Sequence, residues 1–351
     1  MTASDLAGAL VLRLHGARDL RLTEEEAPKP RAGEALVAVR AVGICGSDLH
    51  WYSEGSVGDA AIVRPLVLGH EASGVITSGG RAGQRVAIDP AIPCERCEPC
   101  LLGRRHLCIE LQFAGHGQTD GALRSLLAWP ERHLVPVPDA LDDLEVALLE
   151  PLGVALHAID LGRPRLGGTV GVIGCGPIGL FIIALARLAG AATILASDAL
   201  AHRVAAAQSI GADHAVQAGP GSAAELLRAI DGRGVDVAFE AAGNSEALDA
   251  AIEMARPAAD VIVVGIPAGD RFSFSASVAR RKGLDIRLSR RMADVYPRAI
   301  DLVAKGRLDV RALVTDRYPL GDAAAAFASA ARRDGIKVLV EPSHTQPEAA
   351  A

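Results

Sequence analysis

Four of the six cysteines of this chain fall within fifteen residues, as Cys94-x-x-Cys97-x-x-Cys100 and then, after seven more residues, Cys108. Four thiolates can surround Zn²⁺ tetrahedrally, and when the protein supplies all four ligands no position is left for water or substrate. Such a site is structural. It would hold together the stretch 93–109, which has few apolar residues of its own to fold around. A pair of disulfides, a redox pair and a four-iron, four-sulfur cluster are the other uses of the pattern. The first sixteen residues lack the basic-then-apolar arrangement of a secretory leader, so a reducing, cytoplasmic setting is expected and metal is favoured over disulfides.

A second set of possible ligands is dispersed. Cys45 lies in Gly43-Ile-Cys-Gly-Ser-Asp-Leu-His50, His70 and Glu71 in Gly69-His-Glu-Ala-Ser-Gly74, and Glu150 in Leu149-Glu-Pro-Leu152. Thiolate, imidazole and carboxylate are the ligand types of zinc, and three protein ligands with one open position define a catalytic site. Each residue alone has a plainer use: Cys45 as a small buried apolar group, His70 as a hydrogen-bonded polar one, Glu150 as a carboxylate at a helix end before Pro151. Their types and spacing leave open which of Glu71 and Glu150 would be the third ligand.

The third chemical signal is Gly174-Cys175-Gly176-Pro177-Ile178-Gly179, a G-x-G-x-x-G run that follows an apolar strand and opens an apolar helix. Asp198 stands nineteen residues past its last glycine, the place of the acidic residue that takes the ribose hydroxyls of a dinucleotide. The first glycine permits a tight turn, the second lets the backbone approach a pyrophosphate, and the third lets helix and strand pack closely. The helix N-terminus supplies N–H groups to the phosphates. A carboxylate at Asp198 repels a 2′-phosphate, so NAD is expected rather than NADP. Arg203 can reach the adenosine end, and Val264, Gly265 and Ile266, closing the fifth strand, are further candidates for cofactor contact.

The elements that must position these residues change character near Glu150. Before it come short β-like runs punctuated by Gly and Pro: 9–14, 34–42, 74–76, 85–88 and 132–136. After it, strand patterns at 169–173, 193–197, 214–216, 235–240, 260–264 and 284–288 alternate with helix patterns such as 179–189, 201–210 and 245–254. That alternation predicts a parallel doubly wound sheet. From about 290 one helix, 296–305, and a β-like return at 336–340 are expected, followed by a frayed tail. The 351 residues suit two domains, 50% of them are apolar, and only 3% are aromatic, so the cores must be built from Ala, Val, Leu and Ile. A net charge of −6 without a basic run argues against nucleic acid. The uncharged stretch 166–186 is long enough for a bilayer but carries six glycines and a proline, which fits strand, turn and helix better than a span.

On these runs, together with Pro65-Leu-Val-Leu-Gly-His-Glu-Ala-Ser-Gly74 and Glu150-Pro-Leu152, the chain resembles the zinc-containing medium-chain dehydrogenases, within them the sorbitol (L-iditol) and L-idonate 5-dehydrogenase branch. The resemblance covers nearly the whole length. It implies a GroES-like β-rich catalytic domain, 1–152 with 290–351, into which a Rossmann NAD-binding domain, 153–289, is inserted, with the active site in the cleft between them. It implies two zinc ions, one catalytic and one structural, with Cys45 and His70 as catalytic ligands. Glu71 is then the third ligand or a carboxylate just outside the ligand sphere, and Glu150 a ligand or a contact to water or substrate. Ser47 and His50 match the family's proton relay, and Arg291 an arginine near substrate. Trp51 and Met292 stand where the polyol branch often has tyrosines, so the substrate pocket is expected to be altered there. Between Gly74 and Arg85 the turn 78–83 is shorter than usual. The implied reaction moves a hydride from a secondary hydroxyl of a polyol or sugar acid to NAD, in a homodimer or homotetramer. Related alternatives are a dehydrogenase for a vicinal diol or L-threonine, and a non-catalytic dinucleotide-binding protein of the same fold.

Overall fold

The computed structural model describes residues 8–342, and the tail expected to fray lies outside the described residues. The chain divides into two compact units, one of residues 1–150 with 296–351 and one of 151–295.

In the first unit the organising strand is Glu34–Gly43. Its buried and half-buried residues alternate until 41–43, which are buried in succession. Period-two alternation is what a strand with one covered face requires, and the run of burial at its end marks a place covered on both faces. The strand pairs antiparallel with Glu71–Ile76, with Leu126–Pro130 through its first half, and with Lys337–Glu341 at its last two residues. Arg85–Ile88, Leu134–Pro136 and Val314–Pro319 complete a seven-stranded sheet. A bulge leaves Arg40 unpaired, since Val39 faces Gly74 but Ala41 faces Ser73. Such a bulge re-aims the residues that follow it, here those leading to Cys45. A separate three-stranded sheet joins Leu20–Glu26, Gly8–Leu14 and Leu66–Val67. Val, Leu, Ile and Ala fill the core, with Trp51, Trp129 and Phe327 the aromatic members of its main cluster.

In the second unit six strands are all parallel, in the order His214–Gln217, Thr193–Asp198, Thr169–Ile173, Val235–Glu240, Ala255–Val263, Asp285–Leu288. Numbered along the chain this is 3-2-1-4-5-6, the dinucleotide-binding order, whose direction reverses between Thr169–Ile173 and Val235–Glu240. The uncharged run at 166–186 is accordingly a strand, a turn and the helix Pro177–Leu188. No helix among the described residues is long and apolar enough to cross a membrane.

The structure corrects several expected elements. The run 132–136 begins as the short turn Glu131–His133 and is a strand only over Leu134–Pro136. Beyond 290 the described residues include two α-helices, Tyr296–Ala304 and Ala323–Arg332, and an additional strand, Val314–Pro319. The fifth parallel strand starts at Ala255, five residues earlier than the pattern indicated. The helix Leu149–Gly162 was masked by Pro151, which reads as a breaker but is tolerated in a first turn, where no intrahelical N–H is needed.

Candidate metal centres and dinucleotide turn

The four-cysteine lobe closes on itself. The donor atoms of Cys94, Cys97, Cys100 and Cys108 all lie within 4.8 Å of one another. The sulfurs of Cys97 and Cys100 are 3.4 Å apart and those of Cys97 and Cys108 3.8 Å. Tetrahedral zinc with Zn–S near 2.3 Å has S···S edges of about 3.8 Å, so the donor set fits that ion. Backbone N–H groups point at the sulfurs: Cys94 N–H donates to Cys108 Sγ and Cys97 N–H to Cys94 Sγ. Backbone N–H groups of Ile109 and Cys100 bring the Cys97 thiol down to about 6, whereas burial pushes Cys100 up to about 12. All six cysteines are free thiols. The sixth, Cys175, is buried in the glycine turn, where burial and then Asp198 push its thiol up to about 12, so it is inert.

The mixed cluster is assembled from three elements. Cys45 caps the N-terminus of the helix Gly46–Glu54. Gly69 makes a left-handed bend at φ +90° that delivers His70, and Glu71 opens the strand Glu71–Ile76. The donor atoms of Cys45, His70 and Glu71 fall within 4.8 Å of one another, and Glu150 is outside this group. Of the two carboxylates left open by the sequence, Glu71 is the one grouped with Cys45 and His70.

Asp48, a residue the sequence reading passed over, organises this cluster. Its carboxylate is 1% exposed. It accepts hydrogen bonds from Cys45 N–H (3.0 Å) and Gly69 N–H (3.2 Å) and stands 3.5 Å from His70 Nδ1. Burial opposes its charge, but His70 and these N–H groups hold it below its ordinary value. Burial likewise opposes a charge on His70, yet Asp48 and Cys45 raise the imidazole well above its ordinary value. With Nδ1 turned to Asp48, Nε2 is left for a metal.

Glu150 opens the helix Leu149–Gly162 and is 4% exposed. Burial and then the charge of Glu71 push its carboxyl up to about 7, against the opposing pull of His70 and Lys337. Tyr296, also buried, donates its hydroxyl to the carbonyl of Ile88. Ser47 and His50 sit one turn apart on the Cys45 helix, where i and i+3 share a face. His50 Nδ1 is 3.0 Å from Glu54 Oε1. Trp51 is packed into the core, 2% exposed and edge-on to His116 at 5.5 Å. Arg291 and Met292 belong to the second unit, Arg291 in a left-handed conformation at φ +55° and Met292 buried over Gly153.

In the second unit the glycine turn has the close approaches its pattern requires. A Cβ on Gly174 would meet the backbone of Ala241 and Ala242 at 2.6–2.7 Å, and one on Gly179 would lie 1.8 Å from the carbonyl oxygen of Gly174. Gly176 is open except for Arg203 Nη1 at 3.5 Å, so Arg203 lies beside the turn itself. Pro177, Ile178 and Gly179 form the first turn of the helix Pro177–Leu188. Asp198 ends its strand and accepts from Cys175 N–H at 2.7 Å and Leu200 N–H at 2.9 Å, one on each carboxylate oxygen. Each oxygen keeps a second lone pair for a ribose hydroxyl. Glu240, fully buried at the end of the neighbouring strand, was not anticipated. Its Oε1 accepts from Ala242 and Gly243 N–H, and its carbonyl from Val264 and Gly265 N–H, so it ties two cofactor-side loops together.

The alcohol dehydrogenase GroES-like domain family matches residues 31–139, and the zinc-binding dehydrogenase family matches 177–305. A sorbitol dehydrogenase of Bacillus subtilis is 35% identical over 94% of this chain and 96% of its own length. The chain belongs to the zinc-containing medium-chain dehydrogenases. A probable D-xylulose reductase A of Arthroderma otae is 37% identical over 96% of this dehydrogenase and 98% of its own chain. The crystal structure of L-idonate 5-dehydrogenase from Escherichia coli superposes with a TM-score of 0.87 at 28% identity, covering 95% of this chain and 98% of the other. The GroES-like match contains both groups of candidate metal ligands, and the second match begins at Pro177 of the glycine turn.

Missed from sequence were Asp48, Glu240 and the fully buried Lys337, whose ammonium pairs with Glu71. Asp48 had a usable signal, since an acidic residue three positions after a helix cap commonly closes back on the cap.

Proposed function

We propose that this dehydrogenase oxidises a secondary hydroxyl of a polyol or sugar acid to a ketone, R₂CHOH + NAD⁺ giving R₂C=O + NADH + H⁺. The observation that carries the reading is the Cys45–His70–Glu71 donor cluster, three ligand types at metal spacing with buried Glu150 beside them. In this reading those three residues hold a catalytic zinc ion with one position open, and the four cysteines hold a structural one. The catalytic ion, when bound, supplies Lewis acidity that lowers the pKa of a hydroxyl. Ser47 and His50, one turn apart on the Cys45 helix, would carry the released proton outward. Glu150, buried at the start of its helix, can accept from a neighbouring hydroxyl or water. Arg291 suits a substrate carboxylate through a bidentate contact, which keeps sugar acids beside sorbitol and xylitol.

The glycine turn binds the pyrophosphate with Arg203 at its side, Val264, Gly265 and Ile266 line the cofactor, and Asp198 favours NAD by repelling a 2′-phosphate. The reading includes a cytoplasmic homodimer or homotetramer, and its substrate class is in keeping with relatives named for sorbitol and D-xylulose. The test is kcat/KM, followed as NADH formation, for sorbitol, xylitol and L-idonate against ethanol and 1-butanol. A pocket built to pair hydroxyls rejects substrates that lack them, so the polyhydroxylated compounds should lead. Faster primary alcohols would refute the polyol assignment.

A further inference from the structure

Lys337 opens the strand Lys337–Glu341 and is 2% exposed. Its Nζ pairs with Glu71 Oε2 and donates to the carbonyl of Ile44, the residue before Cys45, at 3.0 Å. Burial works against its charge, yet Glu71 and Cys45 hold the ammonium above its ordinary value. Replacing both members of such a pair by apolar side chains commonly costs no stability, because desolvating two charges offsets most of what their attraction returns, whereas removing one member strands the other. An ion pair in this position therefore calls for a reason other than stability.

The backbone is shaped around the pair. Gly43 faces Glu71 across one strand boundary and Leu339 across the other. A Cβ on Gly43 would stand 2.0 Å from Glu71 Oε2 and 2.9 Å from Lys337 Cε. The absent side chain is the gap through which the lysine of one strand meets the carboxylate of another.

We propose that Lys337, working through the gap at Gly43, is a positioning residue for the Cys45–His70–Glu71 metal site. It holds one oxygen of Glu71 and the carbonyl preceding Cys45, and so fixes two ligands from different elements relative to each other. Its charge also lowers the excess of negative charge among Cys45, Asp48, Glu71 and Glu150. The inference rests on the reading of this cluster as a zinc site, and the controls separate the two.

The measurement is zinc per chain and the rate of zinc release to a chromogenic chelator such as pyridylazoresorcinol, on the full-length protein. The four-cysteine zinc serves as the internal standard. Lys337→Met should speed release of one zinc by tenfold or more and leave the other unchanged, and Lys337→Arg should restore slow release. Tenfold is the lower end of what removing a ligand's supporting partner does to metal affinity. General loosening of the fold would move both zinc ions alike and would count against a positioning role. Should Lys337→Met fail to fold, Gly43→Ala keeps the lysine but blocks the gap and should give the same selective release. Both zinc ions released within twofold of the wild-type rate in a folded Lys337→Met or Gly43→Ala protein overturns the proposal. Cys45→Ser is the control for the site: if it keeps both zinc ions, the site assignment fails. If it loses one while Lys337→Met loses none, the positioning role alone fails.

Discussion

The Asp48 carboxylate does three things at once: it closes the cap of the Cys45 helix, holds the bend at Gly69 and faces His70 Nδ1. Asp48→Asn keeps the size but loses the charge and swaps an acceptor oxygen for a donor. It should weaken zinc at the mixed site by about 10–100-fold, the range found for such supporting partners, as read by competition with a chelator. Unaltered affinity would separate Asp48 from the metal. Asp198 likewise serves its neighbours as well as any ligand, because Cys175 N–H and Leu200 N–H already lie on its oxygens. Asp198→Ala should raise KM for NAD and narrow the gap to NADP. Wild-type protein preferring NADP would show that the carboxylate does not select the cofactor. At this scale the sequence was legible wherever a residue's type states its chemistry, as for Cys45, His70 and the glycines of the turn. It was illegible at Lys337, because a lysine in Ile336-Lys-Val-Leu-Val340 reads as a solvent-facing residue and its partners come from distant strands.

Elements differ in how local their support is. The lobe from Cys94 to Cys108 draws all four sulfurs from fifteen residues, which is why it was legible. Exposed Leu101, Leu102 and Ile109 show that it lacks an apolar core of its own. Cys97→Ser should shed one zinc per chain and lower Tm, by about 2–4 °C for each kcal/mol lost in a unit of this size. A variant that keeps both ions would contradict a four-sulfur site. The loops tied by Glu240 behave differently, because its Oε2 has no hydrogen-bond partner and burial raises its carboxyl, with backbone N–H groups opposing. The folded state then holds a proton that the unfolded state has released. Stability due to this group is full below the ordinary carboxylate value and declines as pH rises through the higher folded one. Glu240→Gln cannot ionise and keeps the Oε1 acceptor, so its Tm relative to wild type should rise as pH increases above the ordinary carboxylate value. Glu240→Ala strands two buried N–H groups and should cost ~1–3 kcal/mol at any pH. A pH-independent difference for the Gln variant would remove the protonation account. Of the elements, Ala323–Arg332 was overlooked because its alanines give no contrast between an apolar and a polar face.

At the scale of the whole molecule, the alternation of strands and helices announced the parallel sheet, since that pattern is carried within 151–295, whereas the strand order came from the structure. The first unit was harder to read, because its sheet is completed by segments from both sides of the inserted one. Lys337 is where this arrangement meets the metal site, 293 positions after the carbonyl it binds. That separation becomes an interval of time during biosynthesis. At 5–20 residues per second, the ribosome reaches Lys337 roughly 15–60 s after Ile44, long after the four-cysteine lobe has emerged whole. The two metals should therefore be acquired in order, the lobe's first and the mixed site's firmly only once Lys337 has been added. Nascent chains arrested before residue 337 in a zinc-supplied translation system should hold one slowly exchanging ion, and released chains two. Two slowly exchanging ions on the arrested chain would contradict this order. A cell short of zinc during that interval would thus accumulate protein that has its lobe and its fold but no hydride chemistry, a reserve awaiting a single ion.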